Sequence, residues 1–303
     1  MNVCRVAAML TLLLLPAIAS AQELTPGAYW PLPRGQNIAT FINSYNWGDV
    51  DFEPAVPVTE AHAKINSTAV AYTRTLAIAG RTANCSLQLP IVGGHLEGLL
   101  NGVPAAGDRF GLGDPRISCG INVYGAPVMD PKAFAAYQLR TVVGVSVTVA
   151  PPLGQYDHSR IVNLGTNRWS VKSEVGLARA VGSGPWMVEL MAGVWVFTDN
   201  TDFNMGHTRA QHPIGSVQAH LTYRFSRRVW LAGDANFYRG GRTVVDGTKN
   251  LDLQSTSRIG STFSWGFNQH HSMRASVSAG AYSAIGANFT TVSAGYNYSW
   301  RRQ

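Results

Sequence analysis

The sequence predicts an all-β protein, a transmembrane antiparallel up-and-down β-barrel of about twelve strands. Three observations predict it. Apolar and polar residues alternate in most segments of the chain after residue 37, and the connections between these segments are alternately long and short. The N-terminus also has the features of an export signal. Only 14% of the residues are charged although 46% are hydrophobic, whereas soluble domains are about 25% charged.

The N-terminus carries the export signal. MNVCR is a short basic region, VAAMLTLLLLPAIA is the apolar stretch, and Ala19-Ser20-Ala21 is a small-residue cleavage site. We therefore expect a cleaved signal peptide at residues 1–21 and one barrel domain at residues 22–303. An exported barrel is expected in the outer membrane of a Gram-negative bacterium, where its partners are outer-membrane lipids and the assembly machinery for barrels.

Twelve segments have the period-two alternation of strands and are close to the ~9–11 residues that a tilted strand needs to cross a bilayer. They cover residues 37–46, 64–74, 80–89, 114–125, 137–149, 169–181, 186–197, 214–225, 228–239, 252–266, 271–282 and 288–300. The first ten connections alternate between long and short, as in barrels with long external loops and short periplasmic turns. The eleventh, SAIGA, is short where a long one is expected.

The cost of charge in lipid predicts which strand face points inward. In segment 214–225, Val217 and Leu221 share one face, and Gln218, His220 and Arg224 share the other. An arginine on the lipid side costs up to ~2–4 kcal/mol, depending on depth. Such arginines recur in four predicted strands, as Arg140, Arg224, Arg258 and Arg274. The polar face is therefore predicted to line the lumen, the opposite of a soluble sandwich.

The segment QLRTVVGVSVTVAPP (138–152) follows the same rule. The side chains predicted to meet lipid are Leu139, Val143, Val145, Val147 and Val149, and only Thr141 and Val142 break the alternation. Aromatic residues at the strand ends predict two girdles at headgroup depth. The first comprises Tyr223, Phe225, Trp265, Phe267, Tyr298 and Trp300, and the second comprises Tyr45, Trp47, Trp169, Phe197, Phe237 and Phe289.

The polar face supplies the candidate functional residues. The predicted lumen-lining residues are Arg116, Gln138, Arg140, Lys172, Glu174, Glu189, Gln218, His220, Arg224, Asp234, Gln254, Arg258 and Arg274. Some should form structural ion pairs, such as Lys172 or Arg224 with Glu189. Twelve strands lie between the roughly eight that leave a filled interior and the roughly 16–18 that leave a water channel. A narrow pore, or a groove guided by the loops, is therefore expected.

The mature chain has two cysteines, Cys85 and Cys119. If the intervening hairpin turns near residue 102, they face each other on adjacent strands and can form a disulfide. The alternative is that they are two small apolar residues on the lipid face.

The sequence gives only weak signals for a catalytic site or a metal site. His158-Ser159 and His270-His271-Ser272 are the candidate His and Ser groups for a membrane-embedded lipid hydrolase, and solvated loop histidines are the simpler interpretation. His207 and His212 are five residues apart in an irregular loop, which is a weak signal for a metal site. Calcium binding by Asp49 with Asp51, or by Asp199 with Asp202, is an alternative to ordinary solvated loop carboxylates. No metal and no cofactor is predicted. The net charge of +7 has no long basic block, which argues against nucleic-acid binding.

The segments FGLGDPRISCGINVYGAP (110–127), APPLGQYD (150–157), NLGTNRW (163–169) and the strand pair around GPW resemble a known family. The sequence is similar to the outer-membrane transporters grouped under the meta-pathway of phenol degradation. The resemblance implies a barrel that passes small hydrophobic or aromatic solutes by diffusion. A lipid hydrolase, and a non-conducting surface barrel with a binding or structural role, remain alternatives.

Overall fold

The computed structural model describes residues 24–51, 58–160, 163–283 and 286–301. In it, twelve antiparallel strand positions close into a barrel. The strands, in chain order, are β1 (Gln36–Asp51), β2 (Val58–Ile78), β3 (Arg81–Leu100), β4 (Val103–Leu112), β5 (Arg116–Tyr124), β6 (Thr141–Ala150), β7 (Ser170–Ala180), β8 (Trp186–Phe197), β9 (Asn200–Phe203), β10 (His207–Gln211), β11 (Ile214–Arg224), β12 (Val229–Gly240), β13 (Thr243–Val245), β14 (Thr248–Lys249), β15 (Gln254–Gly266), β16 (His271–Ser283) and β17 (Gly286–Arg301). Both β4 and β5 pair with β3 and share one position in the wall. Strands β9, β10, β13 and β14 form a separate four-stranded sheet.

The barrel closes because β1 pairs with both β2 and β17. The predicted all-β barrel of about twelve strands is therefore confirmed. Strands β2 and β3 are about twice as long as predicted, since their pairing continues beyond the wall into a hairpin with β4. The predicted signal peptide lies outside the described residues.

The two ends of the barrel differ in their connections. At the short-turn end, β2 and β3 are joined by residues 79–80, and β11 and β12 by residues 225–228. The longest connection at this end contains a single helical turn, α1 (Pro131–Ala136). At the long-loop end, residues 151–169 and 198–213 form the larger connections. Within the described ranges, no helix is long and apolar enough to cross a membrane.

Apolar side chains cover the outer surface of the barrel. On β11, Val217 and Leu221 are 50% and 49% exposed, whereas Gln218 and Thr222 are 1% and 0% exposed. The same alternation exposes Ile259, Phe263, Val277 and Val292 on the outside of β15, β16 and β17. An exposed apolar band of this kind is stable in lipid and not in water. The barrel is therefore transmembrane.

Apolar residues also point inward at several positions, contrary to the simple alternation. Strand β6 begins at Thr141, and Leu139, which precedes it, packs against a buried cluster inside the barrel. Val142, which broke the sequence pattern, is fully buried in that cluster. Phe197 and Phe289 were predicted for a girdle but lie on the inward parities of β8 and β17. Phe197 packs against the buried cluster of Trp195, Ile214 and Tyr238, and Phe289 packs against Val50 and Leu96.

Aromatic rings lie close together on the outside of the short-turn end. Ring centroids are 4.8 Å apart for Trp186 and Tyr223, 4.9 Å for Tyr223 and Phe225, and 5.5 Å for Tyr298 and Trp300. Amphipathic rings favour the headgroup depth of a bilayer. This end of the apolar band therefore has the girdle that the sequence predicts.

The motifs that carry the family resemblance meet at the long-loop end. Asp114 of GLGDP accepts hydrogen bonds from the backbone N–H of Gly154, at 2.8 Å, and from the N–H and Oγ1 of Thr166, at 2.8 and 2.6 Å. Asp114 thus ties both ends of the loop after β6 to the break between β4 and β5. These motif residues hold the wall together at its outer rim.

Candidate functional site

The lumen has a filled side and an accessible side. We define the filled side as the inward faces of β7, β8, β11, β12 and β15, where nearly all side chains are buried. We define the accessible side as the inward faces of β17, β1, β2 and β3, where most side chains are partly exposed. The barrel interior is therefore closed along one wall and open to solvent along the other.

The filled side contains a polar network. Lys172 Nζ lies 2.6 Å from Glu174 Oε2, which also accepts a hydrogen bond from Gln218 Nε2 at 3.3 Å. His220 Nδ1 lies 2.7 Å from Asp234 Oδ1, and Thr262 Oγ1 donates to Asp234 Oδ2 at 2.6 Å. Each carboxylate is thus neutralised or hydrogen-bonded, as buried charges require.

The N-terminal segment, residues 24–35, fills the remaining space on this side. The backbone N–H of Gly27 donates to both oxygens of Glu189, at 2.9 and 3.2 Å. The ring of Trp30 packs edge-on against Trp230, with 5.5 Å between centroids. The expected pairing of Glu189 with Lys172 or Arg224 differs from this arrangement, because Lys172 lies beside Glu174 and a backbone amide binds Glu189.

Tyr29 holds the segment against β6 and β7. Its hydroxyl lies 2.9 Å from Ser146 Oγ and donates to Glu174 Oε1 at 3.1 Å. Its carbonyl accepts a hydrogen bond from Asn122 Nδ2 at 3.2 Å. A Cβ atom at Gly144 or Gly176 would come within 2.2 or 2.1 Å of the tyrosine ring. Glycine is therefore required at both positions for the ring to fit.

The position of the N-terminal segment was not predictable from a local pattern, because residues 24–35 have no strand or helix periodicity. A signal was nevertheless present. Gly144 and Gly176 lie on inward faces within strands, and a glycine inside a strand often marks close approach by a ligand or another backbone.

Two inward arginines contact neutral partners. Arg258 Nη2 donates to Ser278 Oγ and to Thr291 Oγ1, each at 2.8 Å. The guanidinium of Arg274 lies 5.1 Å from the centroid of the Trp230 ring. Both side chains are thus fixed against the wall.

The other predicted lumen residues lie near the barrel ends. Arg116 and Gln254 begin β5 and β15, Arg224 ends β11, and all three are partly buried. Gln138 and Arg140 differ from the prediction, because the connection containing α1 extends to residue 140. They precede β6 and are exposed.

The accessible side is chemically neutral. Its inward residues carry hydroxyl, amide or aliphatic groups, and none of them ionises. They are Thr40, Ile42, Ser44 and Asn46 on β1, Ile65, Ser67, Ala69, Ala71 and Thr73 on β2, Asn84, Ser86, Gln88, Pro90 and Val92 on β3, and Thr291, Ser293, Gly295 and Asn297 on β17. Such a surface suits solutes that combine an apolar body with an uncharged polar group.

The sequence matches the family described as "Putative MetA-pathway of phenol degradation" over residues 48–301. The chain belongs to this family. The motif-based resemblance is therefore confirmed. No curated protein matches the chain.

Solved barrels share the fold. The COG4313 outer membrane channel from Pseudomonas putida F1 is 20% identical, with a TM-score of 0.76 over 92% of this chain and 100% of that one. The transport unit of the autotransporter AIDA-I from Escherichia coli is 8% identical, with a TM-score of 0.53 over 88% of this chain and 91% of that one. At these identities the likeness establishes a common architecture.

The cysteines of this phenol-degradation family member are joined. The hairpin of β3 and β4 turns at Asn101 and Gly102, which places Cys85 opposite Cys119, and the two form a disulfide. Leu87 and Ile117, of the same parity, are exposed on the outer surface. The disulfide therefore links two strands on the lipid-facing side.

We expect the Cys85→Ser, Cys119→Ser double variant to be about 4 kcal/mol less stable, because the disulfide closes a loop of 34 residues in the unfolded chain. Unfolding followed by the heat-dependent mobility of the barrel on gels measures the loss. Wild-type protein treated with a reductant should match the variant. Identical transitions for oxidised and reduced wild type would contradict the prediction.

The histidine and serine pairs do not form catalytic dyads. His158 Nδ1 lies 2.9 Å from Asp202 Oδ2, whereas Ser159 Oγ donates to Asp157 Oδ1 at 2.6 Å. His270 Nδ1 lies 2.8 Å from the carbonyl oxygen of Ser299, and His271 contacts the hydroxyl of Tyr296. Ser272 Oγ accepts a hydrogen bond from Asn297 Nδ2 at 3.3 Å. In each case the imidazole and the neighbouring hydroxyl therefore contact different groups.

The candidate metal ligands are also separated. His207 Nδ1 lies 2.5 Å from Asp246 Oδ2, and Asp202 binds His158. Over the ranges that the structure describes, no three His, Cys, Asp or Glu side chains converge as a metal site would require.

A buried arginine, Arg168, lies in the loop before β7. Arg168 donates to Gln211, and its guanidinium lies 4.3 Å from the centroid of the Phe197 ring. Burial, together with the nearby Arg209 guanidinium, lowers the pKa of Arg168 to about 9. Arg168 therefore stays charged at neutral pH and anchors the loop before β7.

Proposed function

We propose that this protein is an outer-membrane channel of a Gram-negative bacterium. It lets small, uncharged, weakly polar solutes, aromatic compounds among them, diffuse along the accessible side of the lumen. The observation that carries the proposal is the neutral lining of β17, β1, β2 and β3 opposite a wall that is filled and charged. The apolar outer band supports the membrane location, and the description of the family supports aromatic solutes.

Neutral walls favour neutral solutes for an electrostatic reason. An ion entering a narrow pore loses part of its hydration, and this loss needs compensation by fixed charge or dipoles. The accessible side provides hydroxyl and amide groups, such as those of Ser67 and Asn84, which bind a single polar group at little cost. Aliphatic neighbours such as Ile42 and Ala71 contact the apolar part of the solute.

Proteoliposome swelling tests the proposal. Vesicles containing the protein should swell faster in small neutral solutes than in charged solutes of the same size, and empty vesicles provide the baseline. Neutral aromatic alcohols should enter faster than aromatic carboxylates. No swelling above the baseline for any solute would contradict the proposal and favour a non-conducting barrel.

A charge placed in the passage provides a matched comparison. Ser67→Asp should slow neutral solutes slightly and raise cation permeability, whereas an aspartate at an outward position of the long-loop hairpin, such as Ala106→Asp, should change neither. Equal effects of both variants would show that solutes do not pass along β2.

A further inference from the structure

Tyr29 occupies a socket that fits a phenol. The inward residues of β6 and β7 form pairs in register, first Gly144 with Gly176 and then Ser146 with Glu174. The ring of Tyr29 lies over the glycine pair, and its hydroxyl reaches the next pair. Successive inward pairs thus bind the aromatic face and the hydroxyl group of the same side chain.

The floor of the socket is apolar. Val142 and Met191 are 0% and 2% exposed and belong to the same buried cluster as Tyr29. At the polar end, Lys172 lies 2.6 Å from Glu174 and balances its charge, so that the carboxylate accepts the phenolic hydrogen. An apolar slot that ends in one charged acceptor and one hydroxyl selects a flat ring with one hydroxyl.

The polar end of the socket is next to water. Ser146 and its neighbour Thr148 are partly accessible, as are Ser118 and Gly120 on the adjoining β5. A solute on the accessible side therefore reaches the socket without crossing the barrel wall.

We propose that this socket is a binding site for small phenols, and that a phenol binds there by displacing Tyr29, the protein's own phenolic side chain. The inference rests on the proposed function, because the phenol arrives as a permeating solute. Displacement of Tyr29 removes its contacts with Ser146 and Glu174. The N-terminal segment then keeps its remaining contacts, such as that of Gly27 with Glu189, and its hold on the filled side weakens.

The competition has a measurable consequence. While Tyr29 fills the socket, a free phenol binds only to the fraction of molecules in which the segment has moved away. The apparent affinity of the wild type for phenol is therefore weaker than that of a chain without the tyrosine ring. The hydroxyl contacts also predict that toluene, which has the same ring without the hydroxyl, binds more weakly than phenol.

Calorimetric titration of the full mature chain in detergent micelles tests the inference, with phenol and toluene as probes. Tyr29→Ala should bind phenol at least about tenfold more tightly than the wild type. Adding Gly176→Val to Tyr29→Ala should abolish this binding, because the new side chain occupies the position of the ring. The double variant also corrects for phenol that partitions into micelles.

Circular dichroism and heat-dependent gel mobility establish that each variant is folded. Tyr29→Phe, which keeps the ring, gives a second reading, and phenol should bind it more tightly than the wild type but less tightly than Tyr29→Ala. Folded Tyr29→Ala with no gain in phenol affinity, or with equal affinity for toluene, would overturn the inference.

Swelling of proteoliposomes by a neutral sugar, measured on the same preparations, separates the two proposals. Swelling without a phenol site would overturn the socket and leave the channel intact. No swelling by the wild type or by Tyr29→Ala would overturn the channel whatever the titration shows. Phenol should accelerate sugar-driven swelling of vesicles containing the wild type. It should not change the swelling rate of vesicles containing Gly176→Val.

Discussion

Deletion of residues 24–35 is expected to raise the single-channel conductance by about twofold or more, because the N-terminal segment occupies the filled side of a lumen that twelve strands leave narrow. Its anchors, Tyr29 on β6 and β7 and Trp30 against Trp230, would be lost together. Planar-bilayer recordings of the mature barrel measure the change. The predicted export signal and cleavage site, residues 1–21, are kept in this variant, so export should be preserved.

A length-matched control separates the segment's presence from its contacts. Replacing residues 24–35 with glycine and serine keeps twelve residues' length of chain but removes the rings and the proline constraints. If the contacts hold the segment in place, the replacement should show noisy conductance between that of the wild type and that of the deletion. A deletion with wild-type conductance would mean that ions never pass near the segment.

The barrel was predictable from the sequence because the features that specify it are local in sequence. A strand with one face in lipid must alternate, and the cost of burying an arginine in lipid decides which face points inward. The position of the turn near residue 102 was also sufficient to place Cys85 opposite Cys119. Each of these features depends on neighbouring residues or on a single hairpin.

The contents of the lumen were not predictable in the same way. Gly27 contacts Glu189 across 162 positions of sequence, and Tyr29 contacts Glu174 across 145. No periodicity encodes such pairs. Val142 breaks the alternation because it packs against Tyr29, and the alternation itself contains no information about this distant contact. The departures from alternation were therefore informative only once the N-terminal segment was known to lie inside.

Asp234→Ala is expected to destabilise the barrel by about 3–5 kcal/mol, the cost of removing one partner from a buried polar pair. Asp234 binds both His220 and Thr262, and the side chains of Asp234 and His220 are 1% and 0% exposed. Water cannot replace the lost carboxylate where the wall is filled. Urea unfolding from lipid vesicles, followed by tryptophan fluorescence, measures the loss.

The accessible side provides the matched comparison for this prediction. Ser293 of the accessible side hydrogen-bonds with Ser276 of the adjoining β16, with 2.6 Å between their Oγ atoms, and both are partly exposed. Ser293→Ala should cost less than about 1 kcal/mol, because lumen water can bind the remaining hydroxyl. Asp234→Asn, which retains one oxygen acceptor, should fall between the two. Equal stability of Asp234→Ala and Ser293→Ala would mean that water reaches both walls, and the division into a filled side and an accessible side would be wrong.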